Sequence, residues 1–312
     1  MQPFFRKAIL AHSVILGLLQ PARSAQIPQT YLDSVVALGS PLLVTKPDGT
    51  QETQWSTEGT GFFYATLVQD DPAPENRRYE TYLVTAKHVV LGHLANQKSD
   101  LHVRLNPKDP GKPDQEFSLP NQPPAGTHGW FFHPNPTIDV AIVQVSFPFL
   151  REQGFDPPTF VNDANTAGSA KMKELGVSAG DGVFVLGFPM NLAGIKKNYV
   201  IVRQGNIARV NDMLDGAVST FMIDSHVFPG NSGGPVVLKA EISSIQGTKA
   251  QANALLIGLV IAYVPYTDTA FSQQTGQARI SFQENSGLAE VIPTDYIDQA
   301  ITAWRAKRDK KP

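Results

Sequence analysis

The sequence predicts an all-β chain, a barrel or sandwich closed off by one C-terminal helix. Short runs rich in Val, Ile, Phe and Tyr recur along its length, separated by Gly, Pro, Asn and Asp clusters. With 25 glycines and 24 prolines in 312 residues, there is ample material for turns between them. One stretch alone, about 294–307, carries long helical spacing: it follows Pro293, and Ile297, Ala300, Ile301 and Trp304 fall on one face. Many short strands with a single terminal helix argue against an alternating α/β fold.

In chain order, the expected strands begin with Ser34–Leu38, Pro41–Thr45, Thr60–Thr66, Glu80–Thr85, Leu101–Leu105, Asp139–Val145 and Gly182–Leu186. They continue with Tyr199–Arg203, Val218–Asp224, Gly234–Leu238, Leu255–Val264 and Ala278–Phe282. Long polar loops are expected at Gln69–Arg78, Asn106–Gly126 and Lys239–Asn253. No repeat and no Pro/Gly linker divides the chain, so residues 25–307 read as one unit, with 308–312 a solvated basic tail.

Hydrophobic residues make up 42% and charged residues 17%, below the roughly 25% usual for soluble chains, which excludes disorder and favours a sizeable core. A net charge of −2 with scattered Lys and Arg gives no reason to expect nucleic acid as a partner. The absence of cysteine excludes a disulfide scaffold, a thiol nucleophile and a Cys-ligated metal. No metal-ligand spacing stands out, so neither a metal nor an organic cofactor is expected.

Residues 1–24 have the order of a secretory signal peptide. Arg6 and Lys7 precede the apolar run Ala8 to Leu19, and Ala22-Arg23-Ser24 supplies a small-x-small cleavage site. Twelve residues are too few for a helix that needs roughly 20 to span a bilayer. The chain is therefore expected to be exported, to the periplasm or the medium, without a membrane span in its mature form. Its lack of cysteine fits a bacterial source.

The most specific local motif is Gly230-Asn231-Ser232-Gly233-Gly234-Pro235. At average glycine usage, its fixed positions arise by accident in about one chain in a hundred of this length. Glycines allow the backbone angles that aim two N–H groups at one point beside a nucleophilic serine. The stretch also fits the nucleophile elbow of α/β-hydrolases, in which the histidine follows the serine. The seven histidines are 12, 88, 93, 102, 128, 133 and 226, all before Ser232, so chain order rejects that reading.

A serine nucleophile needs a base. His88 stands where the apolar run Tyr82-Leu83-Val84-Thr85-Ala86 stops, so a rigid element can hold its ring. His93 is expected on a helical turn or loop, and His128 and His133 flank aromatic residues as packing or loop residues. Asp139 opens the apolar run Val140-Ala141-Ile142-Val143, where an unpaired carboxylate would be costly to bury.

In the order His88, Asp139, Ser232, these blocks resemble the trypsin/chymotrypsin-like serine proteases. Gly59-Thr60-Gly61-Phe62, Thr85-Ala86-Lys87-His88, Asp139-Val140-Ala141, the serine motif and Gly258-Leu259-Val260-Ile261-Ala262-Tyr263 carry the resemblance, from about Asp33 to Ile297. It is nearer the bacterial exported branch, HtrA-like and glutamyl-endopeptidase-like, without a C-terminal PDZ module. The resemblance implies two six-stranded antiparallel β-barrels with the site between them. It also implies a His88–Asp139–Ser232 triad and an oxyanion hole made by the N–H groups of Gly230 and Ser232.

By the same resemblance, His226 and Ile261-Ala262-Tyr263 line the substrate pocket. His226 stands where trypsin places the acid that selects Lys and Arg, so that preference is not expected; a small or medium apolar residue, or an acidic one, is. Asn231 replaces the aspartate of the zymogen activation pair, so no switch through a new N-terminal ion pair is expected. The leading expectation is a serine endopeptidase acting on protein or peptide. The alternatives are a protease-fold binding protein with a blocked or gated site, and an ester hydrolase on the same triad.

Overall fold

The β-branched and aromatic runs do form strands in the computed structural model, which describes residues 26–96, 100–120, 129–194, 196–241, 246–248 and 250–310. The expected signal segment lies outside the described residues. The first half of the chain contains α1 (Gln29–Asp33), β1 (Val35–Thr45), β2 (Gln51–Gln69), β3 (Arg78–Thr85) and α2 (Lys87–Asn96). It continues with β4 (Leu101–Leu105), β5 (Gln115–Leu119), β6 (Phe131–Phe132), β7 (Ala141–Gln144), α3 (Phe147–Glu152) and β8 (Phe160–Val161). These strands make one eight-stranded sheet in the order β5-β4-β1-β2-β3-β7-β6, with β8 added parallel to β2.

The second half holds α4 (Ser169–Leu175), β9 (Gly182–Gly187), β10 (Ile201–Arg209), α5 (Asn211–Leu214), β11 (Phe221–Asp224), β12 (Pro235–Leu238), β13 (Leu255–Phe271) and β14 (Ala278–Pro293). Its six strands close into a barrel, β10-β11-β14-β13-β12-β9. The last helix, α6 (Asp295–Arg308), returns to cover the first sheet.

This is the all-β double-lobed architecture with a C-terminal helix that the sequence implies, with one difference. The barrel closes as expected, whereas the first sheet has eight strands, and its end strands β5 and β6 share no ladder among the described residues.

Two cores form, and the first extends onto barrel residues such as Leu186, Leu256 and Leu259. Phe62, Phe63, Tyr64, Tyr82, Phe155 and Phe160 fill the first, where Phe62 meets Phe160 edge-on at 5.7 Å. Val183, Val185, Ile207, Phe221, Ile223 and Ile257 fill the barrel. Two hairpins outgrow these cores. β1 with β2 and β13 with β14 stay paired well past the last buried residues, as far as Thr45↔Gln51 and Phe271↔Ala278.

The apolar face read for the last helix is the buried one: Ile297, Ala300, Ile301 and Trp304 pack on the first sheet, with Trp304 edge-on to Tyr82 at 5.6 Å. The basic end is not merely solvated. Arg308 is the last residue of α6, and Arg305 and Arg308 each hold Glu80 of β3 at 2.7 Å. Burial alone would raise the Glu80 carboxyl, but hydrogen bonds from Tyr82, Arg308 and Arg305 bring it below its usual range.

The same helix carries an acid in the opposite situation. Asp298 accepts the Tyr64 hydroxyl at 3.0 Å, yet burial and the neighbouring Asp295 push its carboxyl up to about 6 from 3.8. A group whose pKa is raised by folding stabilises fully below its unfolded value and loses that contribution as pH climbs through the folded one. Asp298→Asn keeps the acceptor for Tyr64 without the charge. It is expected to match the unmutated protein near pH 4 and to be more stable by about 1–3 kcal/mol at pH 8. Urea unfolding at the two pH values checks this, and equal stability of the two proteins at pH 8 would refute it.

Candidate active site

Thr85 ends β3 and His88 falls in the first turn of α2, so the imidazole stands at a strand–helix junction. Asp139 reaches it from the residues just before β7, between the buried Ile138 and Val140. One carboxylate oxygen lies 2.5 Å from His88 Nδ1, and the other accepts the His88 backbone N–H at 2.8 Å. Both oxygens of Asp139 are thus committed to one residue. The side chains are 47% and 22% exposed, so the ring keeps an open edge while the acid sits mostly covered.

Ser232 comes from the other lobe. Its turn is built from backbone contacts too close for any side chain. A Cβ on Gly233 (φ +83°) would lie 2.2 Å from the Thr60 carbonyl oxygen and 2.9 Å from the Ala86 nitrogen. One on Gly230 (φ +98°) would lie 2.4 Å from the Phe188 carbonyl oxygen. These positive φ values and close approaches are why glycine stands at both places. The turn is pinned to the first sheet, since Thr60 N–H donates to the Ser232 carbonyl at 2.9 Å and Thr60 Oγ1 donates to the Gly230 carbonyl at 2.6 Å. The Gly233 contacts place the serine turn directly on Thr85-Ala86, two residues before His88.

His88 and Asp139 are therefore joined, and Ser232 is held on the segment that leads into His88. Among the described residues no hydrogen bond links Ser232 Oγ to the His88 ring; such contacts are often long without substrate and tighten when it binds. The backbone N–H groups of Gly230 and Ser232 likewise donate to nothing among the described residues. They are free for an external acceptor.

Asn231 is fully buried, and its side-chain oxygen accepts the Phe228 N–H at 3.0 Å. Residues Gln26–Gln29 lie elsewhere, in a cleft with Ala164, Asn165 and Ala252–Leu255. The turn is thus braced locally.

The residues assigned to the substrate pocket are more open. Val260 accepts the Gly233 N–H at 2.8 Å, so Ile261, Ala262 and Tyr263 lead away from the serine turn. Ile261 is half-buried, whereas Ala262 and Tyr263 are exposed opposite Glu290 and Ala289 of β14. His226 is exposed and lies over Gly287 rather than in a closed wall.

Of the remaining histidines, His128 lies outside the described residues. His133 packs on Tyr296 at 5.7 Å, in keeping with a packing role. His93 proves to be a wholly buried member of α2 facing Glu58. That pairing spans 35 positions and left no local trace in the sequence. Among the described residues no three His, Asp or Glu side chains gather where they could hold a metal ion, and no helix is long and apolar enough to cross a membrane.

The family model described as a trypsin-like peptidase domain matches residues 59–241, more than half of the chain and all three of His88, Asp139 and Ser232. No curated protein shows significant similarity to the chain.

Proposed function

Because the chain belongs to the trypsin-like peptidase family, we propose that it is an exported serine endopeptidase that cleaves protein or peptide substrates through His88, Asp139 and Ser232. The observation that carries the reading is the two-point grip of Asp139 on His88, ring and backbone together, beside a serine turn that leaves two N–H groups unpaired.

In this mechanism Ser232 Oγ attacks the carbonyl carbon of the scissile bond as its proton passes to His88 Nε2. Asp139, hydrogen-bonded at Nδ1, holds the ring in the required tautomer and stabilises the imidazolium. The oxyanion forms between the N–H groups of Gly230 and Ser232, each worth about 2.7–4 kcal/mol in comparable sites. His88 then protonates the leaving amine, the C–N bond breaks and an acyl-enzyme remains. Water repeats the sequence with His88 as base and frees the carboxylate product, restoring the Ser232 hydroxyl. The chain's own groups supply every proton transfer. With His226 in place of an acid, cleavage after Lys or Arg is not expected, and small, medium apolar or acidic residues before the scissile bond are the ones to test.

A fluorophosphonate probe tests the reading. A covalent adduct confined to Ser232, mapped by mass spectrometry, is the expected result. A folded protein that takes no adduct would instead favour a binding protein with a closed site.

A further inference from the structure

Three consecutive residues of β2 each grip a different part of the site. Both carboxylate oxygens of Glu58 lie 2.9 Å from His93 Nδ1, and one of them also accepts the Ser40 hydroxyl at 3.1 Å. Gly59 lies against α2 so closely that a Cβ there would be 2.6 Å from Val89. Thr60 bonds the carbonyls of Ser232 and Gly230, accepts the Phe188 N–H at 3.1 Å and receives the Thr85 hydroxyl on its own carbonyl at 2.7 Å.

The His93 side chain has no exposed surface and that of Glu58 is 23% exposed. An apolar residue would pack under α2 at lower cost than a desolvated imidazole and carboxylate. What the polar pair adds is direction. Asp139 fixes α2 only at its first turn, through His88. Val89 and Val90 pack the first half of the helix on the sheet, and the direction of its second half is left to be set. His93 sits five residues beyond His88, about 7.5 Å along the axis, and a bond there sets that direction.

We propose that Glu58 and His93 are positioning residues for the catalytic base: their bond sets the pitch of α2, and Gly59-Thr60 transmit the same reference to the serine turn. The proposal rests on the peptidase reading above. Because a displacement of about 1 Å at the reacting groups costs about a hundredfold in rate, a second anchor on the base helix acts on kcat rather than on substrate affinity.

The test compares Glu58→Ala with Glu58→Gln, which keeps an acceptor for the His93 ring. Rates are normalised to sites titrated by a fluorophosphonate. In Glu58→Ala, kcat is expected to fall by about tenfold or more, with KM within about twofold of the unmutated value. Glu58→Gln should recover most of the loss. Unchanged kcat per titrated site in Glu58→Ala, even with a lower melting temperature, would overturn the proposal.

A second measurement needs no turnover. In Ser232→Ala protein, the low-field proton resonance between His88 and Asp139 should move or broaden on Glu58→Ala and stay in place on Glu58→Gln; an unmoved resonance in the alanine variant also overturns the proposal. Should Glu58→Ala fail to fold, Glu58→Asp, one methylene shorter, replaces it in both measurements with the same outcomes. Lack of turnover by the unmutated protein bears on the peptidase reading alone, since the resonance is read without it.

Discussion

Ser232→Ala is expected to remove peptide turnover, by about a millionfold in kcat, while leaving stability within about 1 kcal/mol of the unmutated protein. The separation follows from which atoms hold the turn. Ser232 is bound to the rest of the molecule through its main chain: its carbonyl accepts the Thr60 N–H at 2.9 Å, and the next residue donates to Val260 at 2.8 Å. Neither bond involves Oγ. Gly230 and Gly233, with their positive φ angles, keep the turn's shape whatever side chain lies between them. The variant should therefore retain a cooperative thermal transition, lose the fluorophosphonate adduct and fail to cleave any peptide. Activity within tenfold of the unmutated protein would dismiss Ser232 as nucleophile, and loss of the folded state would make it a structural residue.

The parts of the fold legible in the sequence are those whose signal is local. Val183-Phe184-Val185-Leu186 is an apolar run closed off by glycines, and it is a barrel strand buried throughout. The face Ile297, Ala300, Ile301 and Trp304 has a helical period and meets the first sheet as read. β6 and β8 have two residues each, too few to show any period. β5, Gln-Glu-Phe-Ser-Leu, has only Phe117 and Leu119 as apolar members and reads as the polar loop around it. The strand expected from Thr60 starts close to where burial starts, although its ladder begins at Gln51, and the one expected to end at Val264 stops short of a ladder that runs to Phe271, because a hairpin can continue its pairing in solvent.

The site divides the same way. The candidates His88, Asp139 and Ser232 each sit in a short motif that is legible by itself. The full length of α2 is less legible, since Val89, Val90 and Gly92 are poor helix formers and only a helical turn or loop is expected around His93. Its seat on Gly59 and the Glu58–His93 bond join residues far apart in the chain, which no local pattern shows. Thr60 was legible only as part of a strand motif; its hydroxyl, shared between Gly230 and Phe188, gained meaning once the lobes were placed together.

Asp139→Asn is expected to lower kcat by about 10⁴ with the fold intact, and the geometry around Asp139 gives the reason. The His88 backbone N–H must have an acceptor, and at 2.8 Å it faces one oxygen of the carboxylate. In the variant the amide oxygen takes that place, which turns the amide NH₂ toward His88 Nδ1, now 2.5 Å from the other carboxylate oxygen. A nitrogen facing two N–H donors must act as acceptor, so the ring proton shifts to Nε2. His88 then presents a donor to Ser232 where the mechanism needs a lone pair, and it can neither take the hydroxyl proton nor be stabilised as imidazolium. Because the amide serves both contacts and the residue keeps its volume, the melting temperature should change little. The loss should ease as pH rises, when hydroxide can take over part of the base's role in activating Ser232. A variant with kcat within tenfold of the unmutated protein at neutral pH would remove Asp139 from the machinery, leaving His88 to be oriented by α2 alone.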